Sequence, residues 1–144
     1  MSMMSPVGFL KRNARKEAVV PEPAPLPVFD TTEEAVRQAR AAGAFVHVVD
    51  GSEVLNKRMM LDAVAAELSF PEWAGRNLDA LHDCLIDLSW LPAGEHVLVW
   101  SNHRVLAEHD PKAYRGIGSV LVAAAQESGE RVFRAVCAED ENTE

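Results

Sequence analysis

The sequence predicts a small α/β domain in which helices pack on a three-stranded parallel sheet. Three short runs rich in β-branched residues, "AFVHVVDG", "EHVLVWS" and "RVFRAVCAE", alternate with segments whose apolar residues recur at helical spacing. Strands separated by helices pair in parallel through right-handed crossovers. The continuous apolar centre "VLVW" is typical of a strand that is buried on a parallel sheet.

Residues 1–28 are interpreted as a flexible, proline-rich tail. Four of the eight prolines lie between Pro21 and Pro27, at every second position, and this spacing favours an extended chain without a core of its own. The segment "TTEEAVRQARAAG" then predicts an additional N-terminal helix within residues 29–43. Thr31 or Thr32 is its expected N-cap, and Gly43 its expected stop.

Two helices are predicted between the first and second strands. The first follows Asn56, has one apolar face and ends before Pro71. The second runs from about Asn77 to Leu88 and is broken by Pro92 and Gly94.

The last predicted helix lies between Asp110 and Gly129, because Asp110 followed by Pro111 is typical of a cap and a first helical turn. The third strand ends at residue 138, and the acidic residues 139–144 are expected to fray. The α/β domain, including the additional helix, is therefore placed at residues 29–138 as one unit.

The chain has 144 residues and a formal net charge of −8, unevenly distributed. The predicted tail carries +2 and residues 139–144 carry −4, so −6 remains on the body of the domain. An acidic body repels nucleic acid and attracts cationic partners. The first twenty residues are a poor secretory signal and no apolar run is long enough for a membrane helix, so a cytoplasmic protein that binds neither membrane nor nucleic acid is expected.

The residues that could support catalysis are poorly arranged for it. Cys84 and Cys137 are expected to be reduced, buried thiols, and no cysteine or histidine spacing predicts a metal site. His82 and Cys84 are two residues apart on a helix, so they point to different faces and cannot form a nucleophilic dyad. Neither an enzyme nor a cofactor is predicted.

The stretch "NLDALHDCLIDL" places an acidic stripe on a helix. At about 100° per residue, the leucines fall on one side, and Asp79, Asp83 and Asp87 fall together on the other. Like charges four residues apart weaken a helix slightly, so the stripe has a cost unless it binds something. Three carboxylates one turn apart resemble a run of phosphates. Trp73, in the preceding loop, is interpreted as an interface anchor, with a lid over the core as the alternative.

The segment "LSFPEWAGRNLDALHDCLIDL" resembles the signature of the barstar family, the intracellular inhibitors of barnase-like ribonucleases. The resemblance is strongest from Leu68 to Leu85 and extends loosely from the strand at Phe45 to the strand at Cys137. It implies a barstar-like three-stranded parallel sheet with helices packed on it. It also implies that the helix after Asn77 and the loop before it block a nuclease active site.

By position, the resemblance implies that Asp83 is the central carboxylate and Asp79 a second charged contact. Trp73 stands where the family has a tyrosine, and His82 where its best-known member has a tryptophan. Ala123 and Gln126 replace an expected valine and an expected glutamate. The partner-binding surface that the resemblance implies comprises Trp73, Gly75, Arg76, Asn77, Asp79, Ala80, His82, Asp83, Asp87, Ala123 and Gln126.

The hypothesis is therefore a monomeric, cytoplasmic inhibitor that forms a 1:1 complex with a small basic ribonuclease. The alternative is a barstar-like immunity or adaptor module that binds a different cationic protein or toxin, because fold and function can separate.

Overall fold

The computed structural model describes residues 26–128 and 131–139. Nearly all of the predicted proline-rich tail and of the predicted acidic end therefore lies outside the described residues. Within them, no helix is long and apolar enough to cross a membrane.

The sheet is parallel, as predicted, but it has four strands. They are β1 (Val28–Phe29), β2 (Phe45–Asp50), β3 (Glu95–Ser101) and β4 (Val132–Ala138), in the order β1-β4-β3-β2. The prediction of three strands is wrong because β1 has only two residues, too few to show an alternating pattern. β1 is fixed by hydrogen bonds from the amides of Cys137 and Glu139 to the carbonyls of Pro27 and Phe29, at 2.8 and 3.1 Å.

In the described part of the chain, five α-helices surround the sheet, and a 3₁₀ turn at Gly51–Glu53 follows β2. The α-helices are α1 (Thr32–Ala41), α2 (Lys57–Glu67), α3 (Leu78–Asp87), α4 (Arg104–His109) and α5 (Pro111–Glu127). The N-caps predicted at Thr31, Asn56 and Asp110 are confirmed, and Asn77 caps α3 in the same way, since the side-chain oxygens of these residues accept hydrogen bonds from amides three residues later. Sequence reasoning missed α4, which has six residues and no side-chain cap.

Each face of the sheet has its own core. On one face, α2, α3 and α5 bury a large apolar cluster that includes Trp100, Phe133 and Leu26. On the other face, Ala35 and Ala39 of α1 pack over Val97 and Val99. The helix predicted in residues 29–43 is thus part of the fold, and its small alanines allow it to lie close to the strands.

Candidate functional site

Helix α3 is oriented by its two contrasting faces. Leu81 and Leu85 are 1% and 0% exposed and belong to the main core. The helix ends at Asp87, and Leu88 caps it: its amide donates the last helical hydrogen bond to the carbonyl of Cys84, and its left-handed backbone turns the chain out of the helix. Burial of the leucines fixes the rotation of α3, so the opposite face is held toward solvent.

The acidic stripe lies on that exposed face. Asp79, Asp83 and Asp87 are all exposed, and the Asp83 side chain retains 81% of its accessible surface. Within residues 26–128 and 131–139, no arginine or lysine forms an ion pair with any of the three. Asp87 accepts a hydrogen bond from the Ser89 hydroxyl at 3.0 Å, which leaves its charge uncompensated. The negative charge of the stripe is therefore available to a partner.

The loop before α3 carries Trp73 outward. Its indole is 80% exposed, so the interpretation of this residue as a lid over the core is wrong. The next residue, Ala74, is buried, and its amide donates to the Pro71 carbonyl at 3.0 Å, which closes a tight turn. The turn is anchored by Ala74 and displays Trp73 beside the acidic helix.

A groove with a volume of about 370 Å³ separates this loop from α3. It is lined by Trp73, Ala74, Gly75, Ala80, Asp83, Cys84, Asp87 and Trp90. The groove thus combines aromatic surface with two carboxylates, a chemistry that suits a cationic or aromatic side chain.

Trp90 is a wall of this groove that sequence reasoning missed. Its indole nitrogen donates to the Leu68 carbonyl at 2.9 Å, and its ring meets Phe70 edge to face at 5.9 Å. These contacts fix the ring. The available signal was a half-apolar "SWLP" stretch just after the acidic helix, but only the fold of that loop brings Trp90 back to the groove.

Arg76, one of the residues expected to contact a partner, is engaged within the chain. Its Nε atom donates to Oδ1 of Asp62 on α2 at 2.8 Å, and its Nη1 atom donates to the Ala74 carbonyl at 3.1 Å. Asp62 also accepts a hydrogen bond from Arg58 at 3.2 Å. These hydrogen bonds, that from Arg76 first, lower the pKa of the Asp62 carboxyl, so it stays ionised.

The other predicted contacts form the rim of the site. His82 is partly buried between α3 and α5, where its Nε2 atom lies 3.1 Å from Oε1 of Glu127. Ala123 and Gln126 lie on the same helix, α5, and Gln126 is exposed. Glu127 was not predicted. It adds a carboxylate next to Gln126, beside the helix that carries the stripe.

The two cysteines are free, buried thiols. Cys84 is buried, and burial, followed by the charge of Asp83, raises the pKa of its thiol, which keeps it protonated and unreactive. Cys137 is also free and buried, and burial raises the pKa of its thiol to about 12. No group of three or more potential metal ligands occurs among the described residues.

The fold and the site together define a small parallel α/β domain that displays an acidic helix and an aromatic loop. Residues 44–138, about two thirds of the chain, match the family described as Barstar (barnase inhibitor). The chain therefore belongs to the barstar family, as its signature indicated.

A named relative points the same way. The chain is 42% identical over 45 residues to the "Putative ribonuclease inhibitor YrdF" of Bacillus subtilis (strain 168). That alignment covers 31% of this chain and 50% of the relative, so the chain spans about half the length of the relative it matches.

Proposed function

We propose that this protein is an intracellular, reversible inhibitor of a small basic microbial ribonuclease, which it blocks by inserting α3 into the active site. The observation that carries the proposal is the stripe of Asp79, Asp83 and Asp87, which is exposed beside the exposed Trp73 and forms no ion pair with an arginine or lysine in the described part of the chain; the nearest basic group there is His82, whose Nδ1 atom lies 3.8 Å from Oδ1 of Asp83. The barstar family membership and the name of the Bacillus relative support it.

The mechanism is steric and electrostatic, and it involves no bond making. Successive carboxylates of the stripe are four residues apart in the sequence. Because an α-helix rises 1.5 Å per residue, they are about 6 Å apart along the helix axis. A nuclease active site that holds phosphates with arginine, lysine and histidine side chains would accept these carboxylates in their place. Occupation by α3 excludes RNA from the cleft.

The groove beside α3 supplies specificity. Its carboxylates, Asp83 and Asp87, and its indoles, Trp73 and Trp90, would receive one side chain that projects from the rim of the nuclease cleft. An arginine, lysine or protonated histidine gains both ionic and cation–π interactions in such a setting. Because Trp90 is already held by Leu68 and Phe70, little ordering is required of this wall on binding.

The proposal is tested by titrating the full chain into an RNA-cleavage assay with barnase, the nuclease that the family description names. We expect complete inhibition at a 1:1 ratio and an association rate that falls steeply as salt is added, because acidic and basic surfaces meet. A chain that binds neither barnase nor a basic ribonuclease recovered from its source cell would overturn the proposal.

The peripheral residues favour a second candidate, a module that binds a different cationic protein or toxin. The ring of His82 is directed to Glu127 of its own chain, where the resemblance led us to expect an aromatic contact with the nuclease. Recovery of a basic partner without ribonuclease activity from the source cell would select this candidate.

A further inference from the structure

We propose that Asp62, on α2 and outside the acidic stripe, is a positioning residue for the partner-binding loop because it holds Arg76 away from the cationic partner. This inference rests on the proposed function. It assigns a role to an ion pair that neither the family resemblance nor the acidic stripe explains.

Arg76 occupies an unfavourable place for a cation. It lies between Gly75, which lines the groove, and Asn77, which caps α3, only three residues before Asp79. Pointing freely into solvent, its guanidinium would reduce the negative potential of the stripe and repel a basic protein. The Asp62 contact instead directs it back to α2, and only 31% of its side chain stays exposed.

The same contact fixes the loop. While its Nε atom donates to Asp62, the Nη1 atom of Arg76 donates to the carbonyl of Ala74, the residue that follows Trp73. One guanidinium therefore joins α2 to the turn that displays Trp73, at the residue that precedes the N-cap of α3. A loop held by two hydrogen bonds to one guanidinium loses less entropy when a partner binds, which favours a preorganised surface.

The energetic reason is mainly electrostatic. An exposed ion pair contributes little to folding stability, so the value of this pair to the fold is small. Its effect on the binding of a partner is larger. In water of low salt, a unit charge about 10 Å from a cation of the partner changes the association rate constant roughly twofold, and each further cation at that distance adds a similar factor. We therefore expect Asp62 to matter for binding far more than for stability.

The first experiment measures the association rate with barnase at low ionic strength. Asp62→Asn is compared with Glu67→Gln, which removes an equal charge from an exposed residue of the same helix. We expect Asp62→Asn to slow association roughly two- to fivefold more than Glu67→Gln, because it also releases a cation. Adding Arg76→Gln to Asp62→Asn should remove that excess, so that the double variant is slower than Arg76→Gln alone only by about the effect of Glu67→Gln.

A second double variant separates the effects on association of Arg58 and Arg76, the two arginines that donate to Asp62. Arg58, 69% exposed on α2, is also released by Asp62→Asn, but it is outside the loop. Asp62→Asn with Arg58→Gln should therefore stay slow. Equal effects of Asp62→Asn and Glu67→Gln, or rescue by Arg58→Gln instead of Arg76→Gln, would overturn the inference.

A measurement on the free protein keeps this test independent of the proposed function. Of the three tryptophans, Trp73 is 80% exposed, Trp90 is partly buried in the groove wall and Trp100 is 0% exposed, so quenching of tryptophan fluorescence by ions reports mainly on Trp73 and the groove beside it. Release of Arg76 should increase quenching by iodide relative to caesium in Asp62→Asn, and Arg76→Gln should reverse the change. A Trp73→Phe background should abolish it.

The experiments distinguish a failure of the proposed function from a failure of the role assigned to Asp62. A wild-type chain that does not bind barnase, with the expected quenching pattern, would contradict the proposed function for that nuclease and leave the role of Asp62 supported. An unchanged iodide-to-caesium ratio in Asp62→Asn would show that Asp62 does not hold Arg76, whatever the chain binds.

Discussion

The imidazole of His82 on α3 lies 3.1 Å from the carboxylate of Glu127 on α5. This contact joins the acidic helix to its neighbour at the edge of the site, one residue from Asp83. It also brings a fourth carboxylate to the surface, from a helix that the stripe does not include. The acidic surface is therefore formed by two packed helices. The side chain of Asp83, at its centre, is 81% exposed, whereas that of Glu127 is 54% exposed.

Asp83→Ala is expected to weaken binding of the nuclease far more than Asp87→Ala. If Asp83 enters the cleft, its loss leaves buried cations unpaired, which typically costs about 2–5 kcal/mol. Asp87, near the end of α3, would contact the rim, where a charge changes affinity much less. Calorimetry on both variants decides the point, and equal losses would remove Asp83 from the central position.

Trp73→Ala is expected to reduce affinity without reducing stability. An exposed tryptophan that becomes buried in an interface is a frequent hot spot, for which truncation costs about 2 kcal/mol or more. Because Trp73 is 80% exposed in the free chain, we expect its removal to change the free energy of unfolding by less than about 0.5 kcal/mol. Urea denaturation and a binding titration measure the two quantities. Loss of stability with unchanged binding would show that Trp73 supports the fold instead.

Leu26→Ala is expected to destabilise the domain. Leu26 is 8% exposed and packs in the main core, just before β1, and leucine-to-alanine changes at buried sites cost about 2–5 kcal/mol. Val28→Ala is the matched control, because Val28 is 55% exposed and its backbone pairing is retained. Similar unfolding free energies for the two variants would mean that this segment contributes nothing through Leu26.

Stability is expected to fall on mild acidification. Burial lowers the pKa of His47, as does the nearby His96, and burial also lowers the pKa of His103, both from an ordinary value of 6.5. In this range the unfolded chain binds more protons than the folded chain. The stabilisation from neutral, buried imidazoles is therefore complete above about 6.5 and is lost as pH falls toward the lowered pKa values.

Urea denaturation at about pH 7.5 and about pH 5.5 checks this expectation, and NMR titration of the ring protons assigns it to each histidine. The lowered pKa values of Asp50 and Asp62 do not interfere, because these carboxyls protonate only in more acidic solution, below about pH 4. Ring titration of both histidines at or above 6.5 would contradict the expectation.

Local patterns in the sequence determined much of this protein. The leucine spacing of α3 predicted which side of the helix is buried. The same spacing therefore predicted that Asp79, Asp83 and Asp87 are exposed. Side-chain caps are encoded within three residues of the helix start, and this is why the caps at Thr31 and Asp110 were correctly predicted. The family, too, is carried by one contiguous signature.

The remaining features depend on contacts between residues far apart in the chain. Strand β1 is defined only by its pairing with β4, and a two-residue strand has no pattern of its own. Trp90 becomes a wall of the groove because its loop folds back to Leu68, and the Arg76 side chain is directed toward α2 because Asp62, on that helix, is within hydrogen-bond reach. Periodicity determines which way a side chain faces, whereas tertiary packing alone determines what it meets there.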